Sequence, residues 1–414
     1  MSGMQADLLL TGGHFWTLDD HKPWAEALAI RDSRIVFVGT DSEVLTYRGH
    51  RTRVMRLKGR FGIPGFNDAH VHWSPTLIKD APRYGITTLQ LIIEVEQIGL
   101  IDTLRARGGV PVRISFRPPI DIVHAEEKSL KQLIVSADSM FRCGGVKGCV
   151  DGMMGNSTAL LFAPYTNGRG NRGLCRQDMA KRGSFENLVR LAVRKGYTPS
   201  IHAIGDKANR LLLDLYERVI SSERITDHRF RMVHAQMVHP DDVKRFGDLG
   251  LVVEVNPVHV SLDLPWIEER IGHKRSRGVY AFRSLQDAGA LLCFGSDYPG
   301  PNMFQPYFLN PLLGLYGAVT RCTLTGFPKG GWFPEECLSL EDAIRAYTLG
   351  PALASGEQRD KGSLQAGKLA DIVILSENPF DIGPSRLTEV SVVHTIVGGR
   401  VVYSTPSSQG RGSS

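Results

Sequence analysis

The chain has 414 residues, 42% of them hydrophobic, with a formal net charge of +6 and a sequence pI of about 9.0. This length suffices for one α/β barrel plus a small accessory domain. The mild positive surplus is weak support for a nucleic-acid partner, and no apolar run approaches the roughly 18 residues of a membrane helix, which argues against both classes.

The cysteines and the N-terminus indicate the compartment. None of the six cysteines forms a C-x-x-C pair, and several lie in apolar runs. Residues 1–10 lack the basic stretch and long apolar core of a secretory signal. We therefore expect a cytoplasmic protein with reduced thiols.

The two ends of the chain have β character. Short apolar runs alternate with turn residues across residues 7–57, which predicts a meander. The run 51–57 mixes basic and apolar residues, as in a strand with one solvent-exposed face. The alternative is a binding site for a polyanion. Residues 392–403 read as a hairpin with a Gly-Gly turn. We predict that 1–60 and 362–404 form a small β-sandwich and that 405–414 is a disordered tail.

Between these ends, residues 61–361 alternate apolar strands with helical patterns, which indicates βα units and a parallel sheet. The predicted strands are 63–71, 85–91, 110–116, 145–150, 198–204, 230–236, 251–256 and 290–296. The helical patterns include 187–195, 208–221, 240–249 and 339–348. The expected fold is a closed (β/α)₈ TIM barrel.

Two histidines end the first predicted barrel strand. His70 and His72 are two residues apart, so on a strand both imidazoles point to the same side. Two converging imidazoles suit a transition metal. Two ordinary structural histidines are the alternative, which the context must decide.

Other polar groups lie at the same ends of later strands. They are Lys147 in strand 4, His202 after strand 5, His234 after strand 6 and Asp297 after strand 8. A lysine inside an apolar strand needs a partner or a modification that changes its charge, because burying an unpaired ammonium is costly. Asp297 taken alone is better explained as a helix N-cap. Six such groups at one mouth of a barrel point together to an active site.

The motifs in combination resemble the metal-dependent amidohydrolase superfamily, in the YtcJ-like branch of its amidohydrolase-3 group. They are 64–72, 147–152, 202–206, 234–236, 295–297 and 367–373. The resemblance covers nearly the whole chain. It implies a hydrolase of non-peptide C–N bonds with the barrel and terminal β-sandwich described above.

The resemblance also assigns roles to single residues. It implies that His70 and His72 hold one divalent ion and that His202 and His234 hold a second. Lys147 would carry a CO2-derived carbamate that bridges both ions. Asp297 would bind metal and pass the proton of the attacking water to the leaving nitrogen. Zinc is the expected ion, one or two per chain, with iron or manganese as alternatives.

The chain departs from the branch after His72. Relatives carry a long insertion there that covers the active site, whereas this sequence reaches the second barrel strand near Gly85 directly. Either the chain is a short relative with an open site, or an internal deletion has removed its pocket. We expect reduced or altered activity, because water is poorly excluded without a lid.

Three functions follow from the resemblance. The first is hydrolysis of a small amide, formamide or cyclic amide. The second is a mononuclear deaminase-type reaction, which is less favoured because such sites lack the strand-4 lysine and usually place Glu soon after the strand-5 histidine. The third is a non-catalytic descendant. The expected partner is a small-molecule substrate, with no nucleic acid and no membrane, and a homo-oligomer is left open.

Four further residues have two readings each. Asn256 and His259 follow strand 7 and either face the pocket or form a turn. Asp151 either orients Lys147 or caps the following helix. Arg117 ends strand 3 and either grips an anionic substrate or forms a surface salt bridge.

Overall fold

A computed structural model describes residues 5–124, 139–166, 168–176, 183–300 and 308–406. Its strands, numbered in chain order, are β1 (Leu8–Thr11), β2 (His14–Trp16), β3 (Trp24–Ala25), β4 (Ala27–Arg31), β5 (Arg34–Gly39), β6 (Arg53–Arg56), β7 (Phe61–Pro64), β8 (Phe66–His72), β9 (Ile86–Ile92), β10 (Arg113–Arg117), β11 (Phe141–Cys143), β12 (Val146–Cys149), β13 (Pro199–Ala203), β14 (Arg231–His234), β15 (Val252–Val255), β16 (Leu291–Phe294), β17 (Ile372–Leu375), β18 (Val392–Val397) and β19 (Arg400–Ser404).

The α-helices lie mostly between the strands β8 to β17. They span Asp41–Val44, Leu77–Asp80, Ile98–Arg107, Ser184–Arg194, Asp206–Ser222, Val243–Asp248, Val258–Asp263, Ile267–Ile271, His273–Ser276, Phe282–Asp287, Pro311–Thr320, Leu340–Tyr347 and Leu349–Ala354. The longest, Asp206–Ser222, buries an apolar face that includes Leu212, Leu215 and Val219 at helical spacing.

Strands β8 to β16 form the predicted (β/α)₈ barrel, which is confirmed. Parallel neighbours run in the orders β11-β10-β9-β8 and β12-β13-β14-β15-β16. The fourth barrel strand is split into β11 and β12 rather than continuous from residue 145. Gly145 at the break has φ +124°, and a Cβ there would lie 2.3 Å from the Thr198 carbonyl oxygen, so the chain bends where only glycine fits.

The chain ends form two facing sheets. One has the order β19-β18-β17-β7-β2-β3 and so joins both termini, and the other has the order β5-β4-β1-β6. Leu10, Leu28 and Ile372 belong to the apolar core between them. The hairpin of β18 and β19 turns at Gly398 and Gly399, both with positive φ.

The start of the barrel differs from the prediction. Residues Phe61–Pro64 pair with Ile372–Leu375 and therefore belong to the terminal sheet. The first barrel strand begins at Phe66, not at residue 63. The chain changes sheets at Gly65, whose N–H donates to the Asp371 carbonyl at 3.0 Å.

A buried ion pair joins the sandwich to the barrel. Arg113 on β10 donates to the two carboxylate oxygens of Asp371 at 2.7 and 2.9 Å, and the Gly398 N–H donates to the same carboxylate at 2.8 Å. Bidentate geometry of this kind fixes orientation as well as distance.

The C-terminal tail, the helices and the cysteines bear on three further predictions. Thr405 N–H donates to the Val393 carbonyl, and residues 407–414 of the predicted tail lie outside the described part of the chain. In that described part, no helix has the length and apolar character needed to cross a membrane. All six cysteines are free thiols.

Candidate active site

Three candidate residues lie at the seam of the barrel, where the first strand, β8, meets the last strand, β16. Asp297, just after β16, donates its N–H to the His70 carbonyl at 2.8 Å, and His72 donates its N–H to Tyr298 at 2.7 Å. The buried Asp68 carboxylate accepts from the backbone of both His70 and Ser296, at 3.1 and 3.0 Å. The first and last barrel strands are therefore joined at the residues that carry the side chains of interest.

Those side chains form a compact triangle. The Nε2 atoms of His70 and His72 lie 3.3 Å apart, and each lies 3.3 Å from Oδ1 of Asp297. Within the described ranges, this is the group of three whose ligand atoms approach closely enough to share one ion.

The other two histidines adjoin this triangle. The His234 ring centroid lies 5.1 Å from that of His70 and 4.6 Å from that of His202. Nδ1 of His234 is 2.7 Å from Oδ1 of Asn256, which leaves Nε2 to face the other rings. Nε2 of His202 lies 3.0 Å from the Gly152 carbonyl. The protein thus orients each ring through one nitrogen.

All six predicted site residues line one cavity of about 1390 Å³. Lys147 lines it from β12 and is paired with Ser200 on β13, two residues before His202. No described residue forms an ion pair with the Lys147 ammonium, and burial lowers its pKa. The lysine therefore lies within the histidine cluster but outside the close triangle.

Charge is unevenly distributed in the cluster. Burial acts to raise the pKa of Asp297, but hydrogen bonds with His70 and His72 outweigh it and hold the pKa well below the usual range. Burial, followed by the charge of His202, lowers the pKa of His234 well below its usual range. Burial acts to lower the pKa of His202, but the charge of Cys149 and the hydrogen bond with Asp151 outweigh it and raise the pKa to about 9. At neutral pH the site therefore presents an ionised Asp297 and a neutral His234, whereas His202 must release a proton before it can bind a metal.

The buried acid Glu254 contacts the ring nitrogen of His70 that is not part of the triangle. Nδ1 of His70 lies 2.6 Å from Oε1 of Glu254, whose carboxylate also accepts from Arg117 and Arg231. Burial acts to raise the pKa of Glu254, but the charge of Arg117, then His70, holds it well below its usual range. With Nδ1 bound to the carboxylate, Nε2 is directed toward Asp297 and His72.

Comparison with known proteins identifies the family. The sequence profile of the Amidohydrolase family matches residues 73–403. This chain belongs to that family. Its place in the YtcJ-like branch, indicated by the motifs, is confirmed by the 30% identity over 298 residues to the putative amidohydrolase YtcJ of Bacillus subtilis, which covers 72% of this chain and 54% of the relative.

Two other relatives match more locally. Protein LONG AFTER FAR-RED 3 of Arabidopsis thaliana is 39% identical over 263 residues, 63% of this chain and 43% of that protein. The N-substituted formamide deformylase of Arthrobacter pascens is 30% identical over 226 residues, 54% of this chain and 39% of that enzyme. The amidohydrolase chain thus spans about half the length of these three curated relatives.

A solved structure supports the fold. An uncharacterized metal-dependent hydrolase from Pyrococcus furiosus superposes with a TM-score of 0.74 at 18% identity and covers 91% of this chain and 99% of its own. At this identity, the likeness concerns architecture alone.

Two of the residues with alternative interpretations differ from both. Arg117 neither reaches a substrate nor lies at the surface, because it is fully buried and donates to both oxygens of Glu254. Asp151 caps no helix and does not orient Lys147. Its carboxylate accepts from the backbone of Leu160, Ile204 and Gly205, at 2.8 to 3.0 Å.

The remaining two face the site. Asn256 bonds to His234 as described, and His259 lines the cavity with Nε2 3.9 Å from Oδ2 of Asp297. Asp297 itself is not a helix N-cap. It has φ +56°, and His234 has φ +72°, so two site residues of the amidohydrolase adopt left-handed backbone at strand ends.

Sequence reasoning missed Glu254, Arg231 and Asp68. Glu254 and Arg231 each interrupt an apolar strand, and charged residues are almost never fully buried unless paired. A charged residue inside an apolar strand therefore indicates a buried ion pair. Which residues pair with Glu254 and Arg231 depends on which strands are neighbours in the barrel.

Gly295 is expected to be intolerant of a side chain. A Cβ on Gly295 would lie 2.5 Å from the His70 backbone nitrogen, so Gly295→Ala forces β16 away from β8. We expect a loss of about 1–3 kcal/mol in the free energy of unfolding, as for overpacked sites, together with weaker zinc binding. Urea unfolding and zinc titration measure both. The matched control is Gly99→Ala, at an exposed position of the helix Ile98–Arg107, where a Cβ meets nothing within 4 Å. This change should not weaken zinc binding.

Proposed function

We propose that this amidohydrolase cleaves a non-peptide C–N bond of a small amide, formamide or cyclic amide with a metal-activated water. The supporting observation is the 3.3 Å triangle of His70, His72 and Asp297. Zinc bonds of about 2.0–2.2 Å in tetrahedral geometry place ligand atoms about 3.3–3.5 Å apart. The three donors therefore fit such an ion as they stand.

The remaining donors suit a second ion. His202 and His234 would hold it, with Lys147 as the shared ligand after modification. A divalent ion in this cluster would lower the pKa of a water molecule and polarise the carbonyl of the scissile bond.

The two carboxylate oxygens of Asp297 have different neighbours. Oδ1 faces the histidine nitrogens, whereas Oδ2 lies on the side of His259. An ionised carboxylate with one oxygen engaged keeps the other for proton transfer. We assign Oδ2 to accept the proton of the attacking water and to return it to the leaving nitrogen.

Lys147 has the environment that a carbamate requires. Burial lowers its pKa, which favours the neutral amine that attacks CO2. In that step, Nζ forms a bond to the carbon of CO2 and loses a proton to water. The product is an anion with two oxygens, which replaces a cation with no described partner.

The cavity suits an N-substituted substrate. Its walls include the apolar side chains Trp73, Phe185 and Leu262 beside the polar cluster. The relative from Arthrobacter pascens is named for deformylation of N-substituted formamides, which supports formamides as the first substrates to try.

The short connection after His72 is the reason to test whether this chain is a non-catalytic descendant. Residues 73–85 pass through the helix Leu77–Asp80 and a 3₁₀ turn to β9. A catalytically impaired descendant would bind metal in the triangle but turn nothing over.

The test pairs metal analysis with an assay of Lys147→Ala. Protein reconstituted with zinc and bicarbonate is expected to hold one or two ions per chain and to hydrolyse at least one N-substituted formamide or amide of a panel. Lys147→Ala should lose the second ion and at least about 10²-fold in kcat/KM, because the shared ligand is gone. Metal content by plasma emission and product amine by chromatography give both values.

Each outcome has a distinct meaning. Protein that binds no zinc would overturn the proposal. Turnover that survives Lys147→Ala would support the mononuclear deaminase-type alternative. The observation that favours it is that one such close triangle is found among the described residues. Metal bound without turnover by either protein would support the non-catalytic descendant.

A further inference from the structure

One wall of the cavity carries a buried carboxylate among neutral partners. Asp263 is 7% exposed, ends the helix Val258–Asp263 and lines the cavity. Its Oδ2 accepts hydrogen bonds from the Tyr280 hydroxyl at 2.5 Å and from Nε2 of Gln236 at 2.8 Å. No basic residue in the described ranges forms an ion pair with it.

The orientation of Gln236 follows from chemistry. Only the NH₂ end of an amide donates to a carboxylate, and the same Nε2 lies 2.7 Å from the Tyr280 hydroxyl. Oε1 of Gln236 and Oδ1 of Asp263 are consequently left without a hydrogen-bond partner among the described residues. Two acceptors therefore remain on a wall of the active-site cavity.

The cluster is rigidly supported. The Tyr280 N–H donates to the Gln236 carbonyl at 2.8 Å, and the buried Arg321 donates to the Tyr280 carbonyl at 2.7 Å. A preorganised pair of acceptors binds a donor without the entropy cost of ordering the site.

The wall lacks a cation of its own. Arg270, the nearest arginine along the chain that lines the cavity, donates to Ser157 and lies over the Trp266 ring instead. Burial raises the pKa of Asp263 to about 7, against the hydrogen bonds from Tyr280 and Gln236. An ionised carboxylate without a counter-ion in such a place is costly, and a bound cation would offset that cost.

We propose that Asp263 and Gln236 bind a cationic group, an ammonium or amidinium, of the substrate. His259 and Asp263 are four residues apart and share a helix face, about 6 Å apart along the axis. His259 in turn lies beside Asp297. The cation therefore lies about one helical turn beyond the reacting bond. That this ligand is a substrate rests on the proposed function, whereas cation binding does not.

The test compares two ligands of the same shape. Benzamidinium and acetophenone are titrated into the zinc-loaded full chain, with the dissociation constants read from ligand-observed NMR. Benzamidinium is expected to bind at least about tenfold more tightly, because hydrogen bonds to a charged partner are the stronger ones. Asp263→Asn should abolish this preference, and Gln236→Met should reduce it several-fold.

The control is Asp121→Asn, an exposed acid on the same cavity, which should keep the preference. Equal affinities in the wild type would overturn the proposal, as would a preference that survives Asp263→Asn or disappears in Asp121→Asn. If Asp263→Asn fails to fold, Gln236→Met decides. Binding is measured without turnover, so a preference in an inactive protein would reject the hydrolase function and not the cation site.

Discussion

Asp297→Asn is expected to lower kcat/KM by at least about 10³-fold on the best amide of the panel. The amide side chain cannot take a proton from water, and general acid–base groups contribute about 10²–10⁴-fold. It also removes the charge beside His70 and His72, so zinc should bind more weakly. Steady-state kinetics on zinc-loaded protein and a competitive zinc titration measure the two effects.

The matched control for this variant is Asp121→Asn, which alters an acid of the same cavity that has no contact with the histidine triangle. It should retain metal affinity. The fold of Asp297→Asn should persist, since its backbone bond to His70 does not involve the side chain. Undiminished turnover in Asp297→Asn would contradict the role assigned to Oδ2.

Glu254→Ala is expected to lower the free energy of unfolding by about 3–5 kcal/mol. The change leaves Arg117 and Arg231, both fully buried, without the carboxylate that they share. Removing one member of a buried ion network has a cost of this size because the remaining charges stay desolvated. Urea denaturation followed by fluorescence measures it.

Glu217→Ala serves as the comparison, because its ion pair with Arg245 is at the surface and the side chain of Glu217 is 61% exposed. Exposed pairs contribute about 0–1 kcal/mol. A loss for Glu254→Ala no greater than that of Glu217→Ala would show that the network does not stabilise the fold. Zinc affinity should also fall in Glu254→Ala, because His70 loses the partner that directs Nε2.

The architecture could be predicted because its signals are local. The alternation of apolar strands and helical patterns between residues 61 and 361 requires only periodicities of 2 and 3.6 residues. His70 and His72 were placed on one side of a strand by the same argument. The barrel then brings the ends of its strands to one mouth, where His202, His234 and Lys147 line the common cavity.

The parts that escaped prediction depend on spatial neighbours far apart in sequence. The buried ion pair of Arg117 differs from both predicted roles, because nothing local shows that Glu254, 137 positions later, lies opposite. The transfer of Phe61–Pro64 to the terminal sheet depends on β17, near the other end of the chain. The acceptors of Asp263 and Gln236 become visible only when the helix Val258–Asp263, after β15, meets the residues that follow β14.

The seam between β8 and β16 has a consequence for assembly. Asp68 and Ser296, which it joins, are 228 positions apart, so the ion-binding triangle cannot exist until most of the chain has been synthesised and the cylinder has closed. An ion held across that junction would add to the backbone hydrogen bonds there and stabilise the closed barrel against the opening of a very long loop. Metal uptake in this protein would therefore mark the end of folding.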